Sequence, residues 1–213
     1  MSPERTPELF DSWASSYDYW IEIGSDSFPF RGYDEVLRRI VELANPEPGS
    51  RILDVGIGTG NLALRFVELG CEIWGIDYSA RMLEEAGKKV PDVRLIQLDV
   101  ESEFPYELRI GFDHIVSAYT LHHLTLERKV TVVKRLTDEL LTENGSIIVG
   151  DVSFSTSSTR AKAREKLVSE WDDYEYYWAA DEFMKLVEDS GLNVAYEQIS
   201  DYGGVYVIVP SPR

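Results

Sequence analysis

Apolar and polar positions follow two rhythms along this chain, and the rhythms take turns. Short runs rich in β-branched and aromatic residues occupy 51–56 (RILDVG), 72–77 (EIWGID), 93–99 (VRLIQLD), 112–118 (FDHIVSA), 145–151 (GSIIVGD), 193–200 (NVAYEQIS) and 204–209 (GVYVIV), and they predict strands. Between them, apolar residues recur every three or four positions over 61–69, 79–89, 127–141 and 180–190. In the third of these, Val130, Val133, Leu136 and Leu140 form one stripe. Ser79 and Thr125 stand where N-caps belong, and Gly70 and Gly191 where helices stop. Such alternation predicts an α/β fold: a Rossmann-like, seven-stranded, mostly parallel sheet with helices on both faces. Only Asp201, Tyr202 and Gly203 separate the last two strands, too few for a crossover helix, so that pair is expected as a C-terminal antiparallel hairpin. Helical patterns over 8–20 and 33–45 form an N-terminal cap within residues 1–50. Residues 155–178 are an insertion within what reads as a single domain over 1–213.

Composition narrows the function. With 213 residues and 44% hydrophobic content, the chain can bury a full core. It has no apolar run near the roughly 18 residues of a membrane helix, and its opening, MSPERTPELFDSW, has no signal-peptide hydrophobic region, so a cytoplasmic protein without a membrane partner is expected. The net charge of −17, from 38 acidic and 21 basic residues, argues against a nucleic-acid partner and mildly favours cationic small molecules. Cys71 is the single cysteine and reads as a buried bystander thiol. No metal site is expected, because His114 lies mid-strand and the i, i+4 ligand spacing is missing.

The sharpest chemical signal is RILDVGIGTGNLAL at 51–64, where Gly56, Gly58 and Gly60 follow the first strand. A loop there opens at the carboxyl ends of the strands, where open α/β sheets bind ligands. The phosphate-binding GxxxxGK[ST] pattern is ruled out because no Lys-Ser/Thr pair follows. The dinucleotide pattern GxGxxG fits poorly because Asn61 takes the sixth position. What remains is D-x-G-x-G-x-G.

That motif, LDVGIGTGNLA, resembles the first motif of class I S-adenosylmethionine-dependent methyltransferases, whose fold is a seven-stranded sheet ending in an antiparallel hairpin. The likeness spans roughly residues 9–209 and is closest to the small-molecule type, with FDSWASSYDYW, GIDYSARML and YTLHHL as landmarks. The chain is also similar to short bacterial methyltransferases sharing an FRGYD segment, here 30–34. The resemblance implies S-adenosylmethionine as cofactor and a small-molecule methyl acceptor, in a monomer or homodimer.

This cofactor bears a sulfonium, an ammonium and a carboxylate and lacks phosphates, so carboxylates should line its site. The resemblance gives Asp54 the methionine portion, with Gly56 and Gly58 admitting close backbone approach. Asp77, 21 residues after Gly56, stands at the interval at which an acidic side chain reaches a ribose diol; a helix cap is its other reading. Tyr78 and Met82 suit the adenine face or ordinary packing. Asp99 and the amide of Val100 suit the adenine edge, and the backbone of Ser117, Ala118 and Tyr119 the methionine moiety. By resemblance Tyr17 caps the cofactor, although Trp13, Tyr17, Tyr19 and Trp20 also read as a core-facing stripe. Arg31 is a candidate for the methionine carboxylate, or else a surface arginine.

Methyl transfer from a sulfonium is an in-line displacement that needs alignment first, and a base only for a protonated acceptor. His122 and His123 are the base candidates, with Tyr119 and Asp151 beside them. The aromatic and acidic run EWDDYEYYWAAD at 170–181 is either a lid over the acceptor or an amphipathic helix. A non-catalytic module binding the same nucleoside, and an NAD-dependent oxidoreductase disfavoured by Asn61, are the competing readings.

Overall fold

A computed structural model describes residues 6–188 and 190–211; Asp189 of the helix expected over 180–190 and the opening MSPER lie outside the described residues. The strands are β1 (Arg51–Val55), β2 (Glu72–Asp77), β3 (Arg94–Gln97), β4 (Phe112–Ala118), β5 (Leu141–Phe154), β6 (Trp178–Ala179), β7 (Leu192–Gln198) and β8 (Gly203–Pro210). The α-helices are α1 (Pro7–Trp13), α2 (Tyr17–Gly24), α3 (Tyr33–Ala44), α4 (Asn61–Val67), α5 (Ala80–Lys89), α6 (Leu126–Glu139), α7 (Ser157–Lys166) and α8 (Ala180–Val187).

The sheet runs β3-β2-β1-β4-β5-β8-β7, and the two-residue β6 pairs with the end of β5. The pairs from β3 through β5 are parallel, while β8 is antiparallel to both β5 and β7. The predicted hairpin is therefore present, with its second strand inserted against β5. Successive residues of the central strands feed opposite faces, as their period of two requires. Leu53, Ile147 and Val149 join one buried cluster with Val133, Leu136 and Phe183, whereas Ile52 and Ile148 join the other with Val36, Ile40 and Phe66. On that second face α3 lies directly on the sheet: a Cβ at Gly150 would sit 2.5 Å from Val36 Cγ1.

Local signals account for the helix ends. Ser79 Oγ accepts from the Met82 amide at 3.1 Å and Thr125 Oγ1 from the Arg128 amide at 3.4 Å, satisfying donors that would otherwise be orphaned. Several expectations need correction. The helix expected over 8–20 is two helices with a break at 14–16. Its apolar stripe divides accordingly: Trp13 and Tyr17 turn inward while Tyr19 and Trp20 are exposed. β3 stops at Gln97, so Asp99 lies beyond the strand in a turn. β5 extends from 141 to 154, beyond the predicted 145–151 on both sides. Cys71 is only partly buried. Of the two readings of 170–181, the amphipathic helix is absent over 170–177, which run as irregular chain between α7 and β6, tucking in Trp171 and Tyr177 while exposing Tyr174 and Tyr176; only Ala180 and Asp181 belong to a helix, α8. Among the described residues no helix is long and apolar enough to cross a membrane.

Candidate active site

The carboxyl ends of β1, β2 and β4 open into one cavity of about 900 Å³, roofed by α1, the start of α2 and residues 170–177. Its floor is the glycine loop. Gly56 has φ +68°, and a Cβ there would lie 2.2 Å from Thr120 Cγ2, so only glycine lets the β1 and β4 loops meet. Thr120 Oγ1 donates to Gly56 O at 3.2 Å and fixes that meeting.

Asp77 is held by the loop it faces. Its Oδ2 accepts from the Gly58 amide at 3.0 Å and its Oδ1 from the Ser79 amide at 2.9 Å, leaving a further lone pair on each oxygen. Burial raises this carboxyl, and the backbone donors partly offset the rise. Asp54, at the end of β1, is 1% exposed, and its Oδ2 has no hydrogen-bond partner among the described residues. Burial, followed by the charge of Asp77, pushes Asp54 up to about 8. A buried carboxylate in this condition is a site that awaits a cation or a donor.

Tyr78, Met82, Leu98, Asp99 and Val100 line one wall. Met82 packs with Phe10 and Ala14 of the N-terminal segment, and the Tyr78 and Phe10 rings lie 5.1 Å apart. Asp99 is exposed and accepts from the Glu101 amide at 2.9 Å, so its carboxylate is at the cavity rim. Two acids pin the roof down. Asp11 accepts from Ser79 Oγ at 2.6 Å and from the Arg81 amide at 3.1 Å, and Asp18 accepts from Thr59 Oγ1 at 2.6 Å and Asn61 Nδ2 at 3.0 Å. Asn61, the residue that breaks the dinucleotide pattern, thereby ties α2 to the start of α4.

Two expected site residues are elsewhere. Arg31 points away from the cavity into an exposed ion pair with Asp201 at 2.9 Å; Phe30 and Tyr33, on either side of it, line the cavity instead. Ser117 is buried and donates to Val55 O at 2.8 Å, so it ties β4 to β1, and its neighbours Ala118 and Tyr119 reach the cavity. Tyr17 does line it.

Tyr119 adopts φ +50°, uncommon for a non-glycine residue, and its ring lies 4.9 Å from that of Tyr33, whereas the His123 ring lies 5.1 Å from Phe10, the ring that also meets Tyr78. The Tyr119 Oη has no partner among the described residues. Burial raises the Tyr119 phenol well above its ordinary value, as it does Tyr17, so neither suits the role of base. That corrects the expectation for Tyr119, which can still donate a hydrogen bond. His122 and His123 follow. Asp151 Oδ1 lies 2.5 Å from His122 Nδ1, and its Oδ2 accepts from the His122 amide and Trp178 Nε1, both at 2.9 Å. Burial alone would lower His122, but the charges of Asp151 and Glu175 and the Asp151 bond raise it. Glu175 meets His123 Nδ1 at 2.8 Å.

Asp11, Asp18 and Glu175 escaped sequence reading because each acts across more than 40 positions; only the acidic character of 170–181 hinted at the last. Known proteins resemble this chain in sequence, and others in fold. Residues 52–145 match the model of the family described as "Methyltransferase domain". The chain is similar to an uncharacterized methyltransferase of Oceanobacillus iheyensis, 31% identical over 205 residues that cover 92% of each chain. It is similarly related to an uncharacterized methyltransferase of a Geobacillus species, 32% identical over 89% of this chain and 91% of that one. Among solved structures, a DhpI–SAM–HEP complex superposes with a TM-score of 0.74 at 18% identity over 95% of each chain. Magnesium protoporphyrin IX methyltransferase from Synechocystis with bound SAH superposes with a TM-score of 0.72 at 18% identity, covering 96% of this chain and 99% of that one.

Proposed function

We propose that this chain, which belongs to the class I S-adenosylmethionine-dependent methyltransferases, methylates a small-molecule acceptor enclosed in the cavity between Tyr119, His122 and the 170–177 segment. The observation that carries the reading is Asp54: a buried carboxylate oxygen without a partner among the described residues, beside a second carboxylate held by backbone donors, fits a compact cation joined to a diol. Bound S-adenosylmethionine supplies a methyl group activated by its sulfonium.

The chain's own residues do the rest. Asp54 would hold the ammonium, Asp77 the ribose hydroxyls, Tyr78, Met82 and Val100 the adenine, and Tyr17 the roof, all of them lining the same cavity. The DhpI and protoporphyrin methyltransferase complexes contain this nucleoside or its demethylated product, which supports the same occupant here. Cavity walls of Phe28, Phe30, Tyr33, Tyr119 and Tyr177 exclude water and would align a small acceptor, which is the main demand of an in-line displacement. His122, oriented by Asp151, is the group at that end able to take or hold an acceptor proton. The volume of about 900 Å³ must house both ligands, which favours a small acceptor over a folded macromolecule.

The test is calorimetry with S-adenosylmethionine and S-adenosylhomocysteine, followed by turnover against a metabolite extract scored by S-adenosylhomocysteine release. Saturable binding with metabolite-dependent release is expected; absence of binding to either nucleoside would overturn the reading.

A further inference from the structure

Beside His122 the cavity carries a donor set of which the methyl-transfer reading uses only His122; a metal held there would take over its part in activating the acceptor. His122 and His123 are adjacent, their rings 4.2 Å apart, and Glu175 reaches both: its Oε2 is 3.5 Å from His122 Nε2 and 2.8 Å from His123 Nδ1. All three donor atoms lie within 4.8 Å of one another. We propose that His122, His123 and Glu175 form a binding site for a divalent transition metal of the zinc type, with its open position facing the acceptor.

Zinc bonded to nitrogen and oxygen at about 2.0–2.2 Å in tetrahedral geometry needs donors about 3.3 Å apart, and two of the separations here bracket that value. Two imidazoles and a carboxylate are a common three-ligand set for a metal that keeps one position open. Preorganisation supports the same conclusion. Asp151 takes His122 Nδ1, which turns Nε2 toward Glu175 at 3.5 Å, a place that a proton or a metal cation bridges. Such a carboxylate behind a ligating imidazole is the usual outer support of a metal site. The second segment is locked as well, because the Tyr176 amide donates to His122 O at 2.7 Å and thereby fixes Glu175 against the histidines. A metal at this place suits an acceptor that presents a hydroxyl or thiol, whose proton it would make easier to remove.

The inference rests on the proposed location of the acceptor, but its test does not require turnover. The full chain, stripped with chelator, is titrated with Co2+ and Zn2+, following calorimetric heat and the visible Co2+ spectrum. One ion per chain with a four-coordinate spectrum is expected; Glu175→Gln and His123→Gln should each weaken binding at least tenfold, and Asp151→Asn, which removes a positioning residue, by about 10–100-fold. S-adenosylhomocysteine heat is measured in parallel on the wild type, where its absence would count against the cofactor reading and not against the metal. Should a variant fail to fold, long-range 1H–15N spectra of the wild type decide the matter: Zn2+ should shift the imidazole nitrogens of His122 and His123 and leave His114, bonded to Ser146 in the sheet, where it was. Unsaturable Co2+ binding, unchanged affinity in folded variants, or unmoved His122 and His123 resonances would show that a proton, and not a metal, bridges the cluster.

Discussion

Asp54→Asn is the most informative single change, because it keeps the side-chain volume and removes only the charge. In the free protein, burial holds this carboxyl up to about 8, so below that pH it is mostly protonated. An ammonium arriving at its unpartnered Oδ2 requires the carboxylate and so displaces the proton. Binding therefore strengthens as pH rises toward 8. The charged hydrogen bond formed is worth about 1.5–3 kcal/mol, against an ionisation cost of about 1.4 kcal/mol for each pH unit below 8. Near pH 8.5 the wild type should bind S-adenosylhomocysteine roughly 10- to 100-fold more tightly than the variant. Near pH 6 the ionisation cost of about 2.7 kcal/mol cancels that advantage, and the two affinities should converge. The ligand's own amine titrates in this range, but identically with both proteins, so it drops out of the ratio. Isothermal calorimetry at four pH values measures that ratio directly. A ratio that stays flat with pH, or an Asp54→Asn variant that binds as tightly as wild type at pH 8.5, would refute the assignment of Asp54 to a cationic group.

Three further outcomes follow from the same structure. Asp77→Ala should weaken binding of the nucleoside by about 1–3 kcal/mol through loss of paired hydrogen bonds, and the same calorimetry checks it; equal affinity would move the ribose elsewhere. Gly56→Ala forces a Cβ to 2.2 Å from Thr120 Cγ2 at φ +68°, so stability read by denaturant unfolding should fall by about 1–3 kcal/mol, with part of the loss recovered by adding Thr120→Ala. Lys129 is 1% exposed and burial lowers its amine to about 8, so the folded state releases this proton at a lower pH than the unfolded chain does. Wild type should therefore gain about 2 kcal/mol over Lys129→Met between pH 8 and pH 10, read by denaturant unfolding, and a constant difference would sink the burial argument.

Much of this protein could be read from sequence because the signals involved are local. Short runs rich in β-branched and aromatic residues located seven of the strands, since a strand covered on both faces carries apolar residues at successive positions. The caps at Ser79 and Thr125 were legible because a cap bonds a residue three positions on. Asp54, Gly56, Gly58 and Asp77 could be singled out because strand ends and the glycine loop bring them together with few intervening choices. The break at 14–16 was not legible, because the aromatic spacing on either side continues across it, and the contact of α1 with α5 joins residues about 70 positions apart.

Sequence by itself thus determined the sheet, its hairpin and the floor of the cavity, all of which follow from periodicity and short-range chemistry. Tertiary structure alone decided the roof and the acceptor end. Arg31 went to Asp201, 170 positions away, while Glu175 came to His123 across 52 positions and Asp151 to His122 across 29. Such pairings depend on how separately folded segments pack, and an exposed arginine or a run of acids carries no local mark of the partner it will meet. The glycine loop shapes its site through the backbone it belongs to, whereas the histidines acquire their chemistry only from carboxylates that the fold delivers to them.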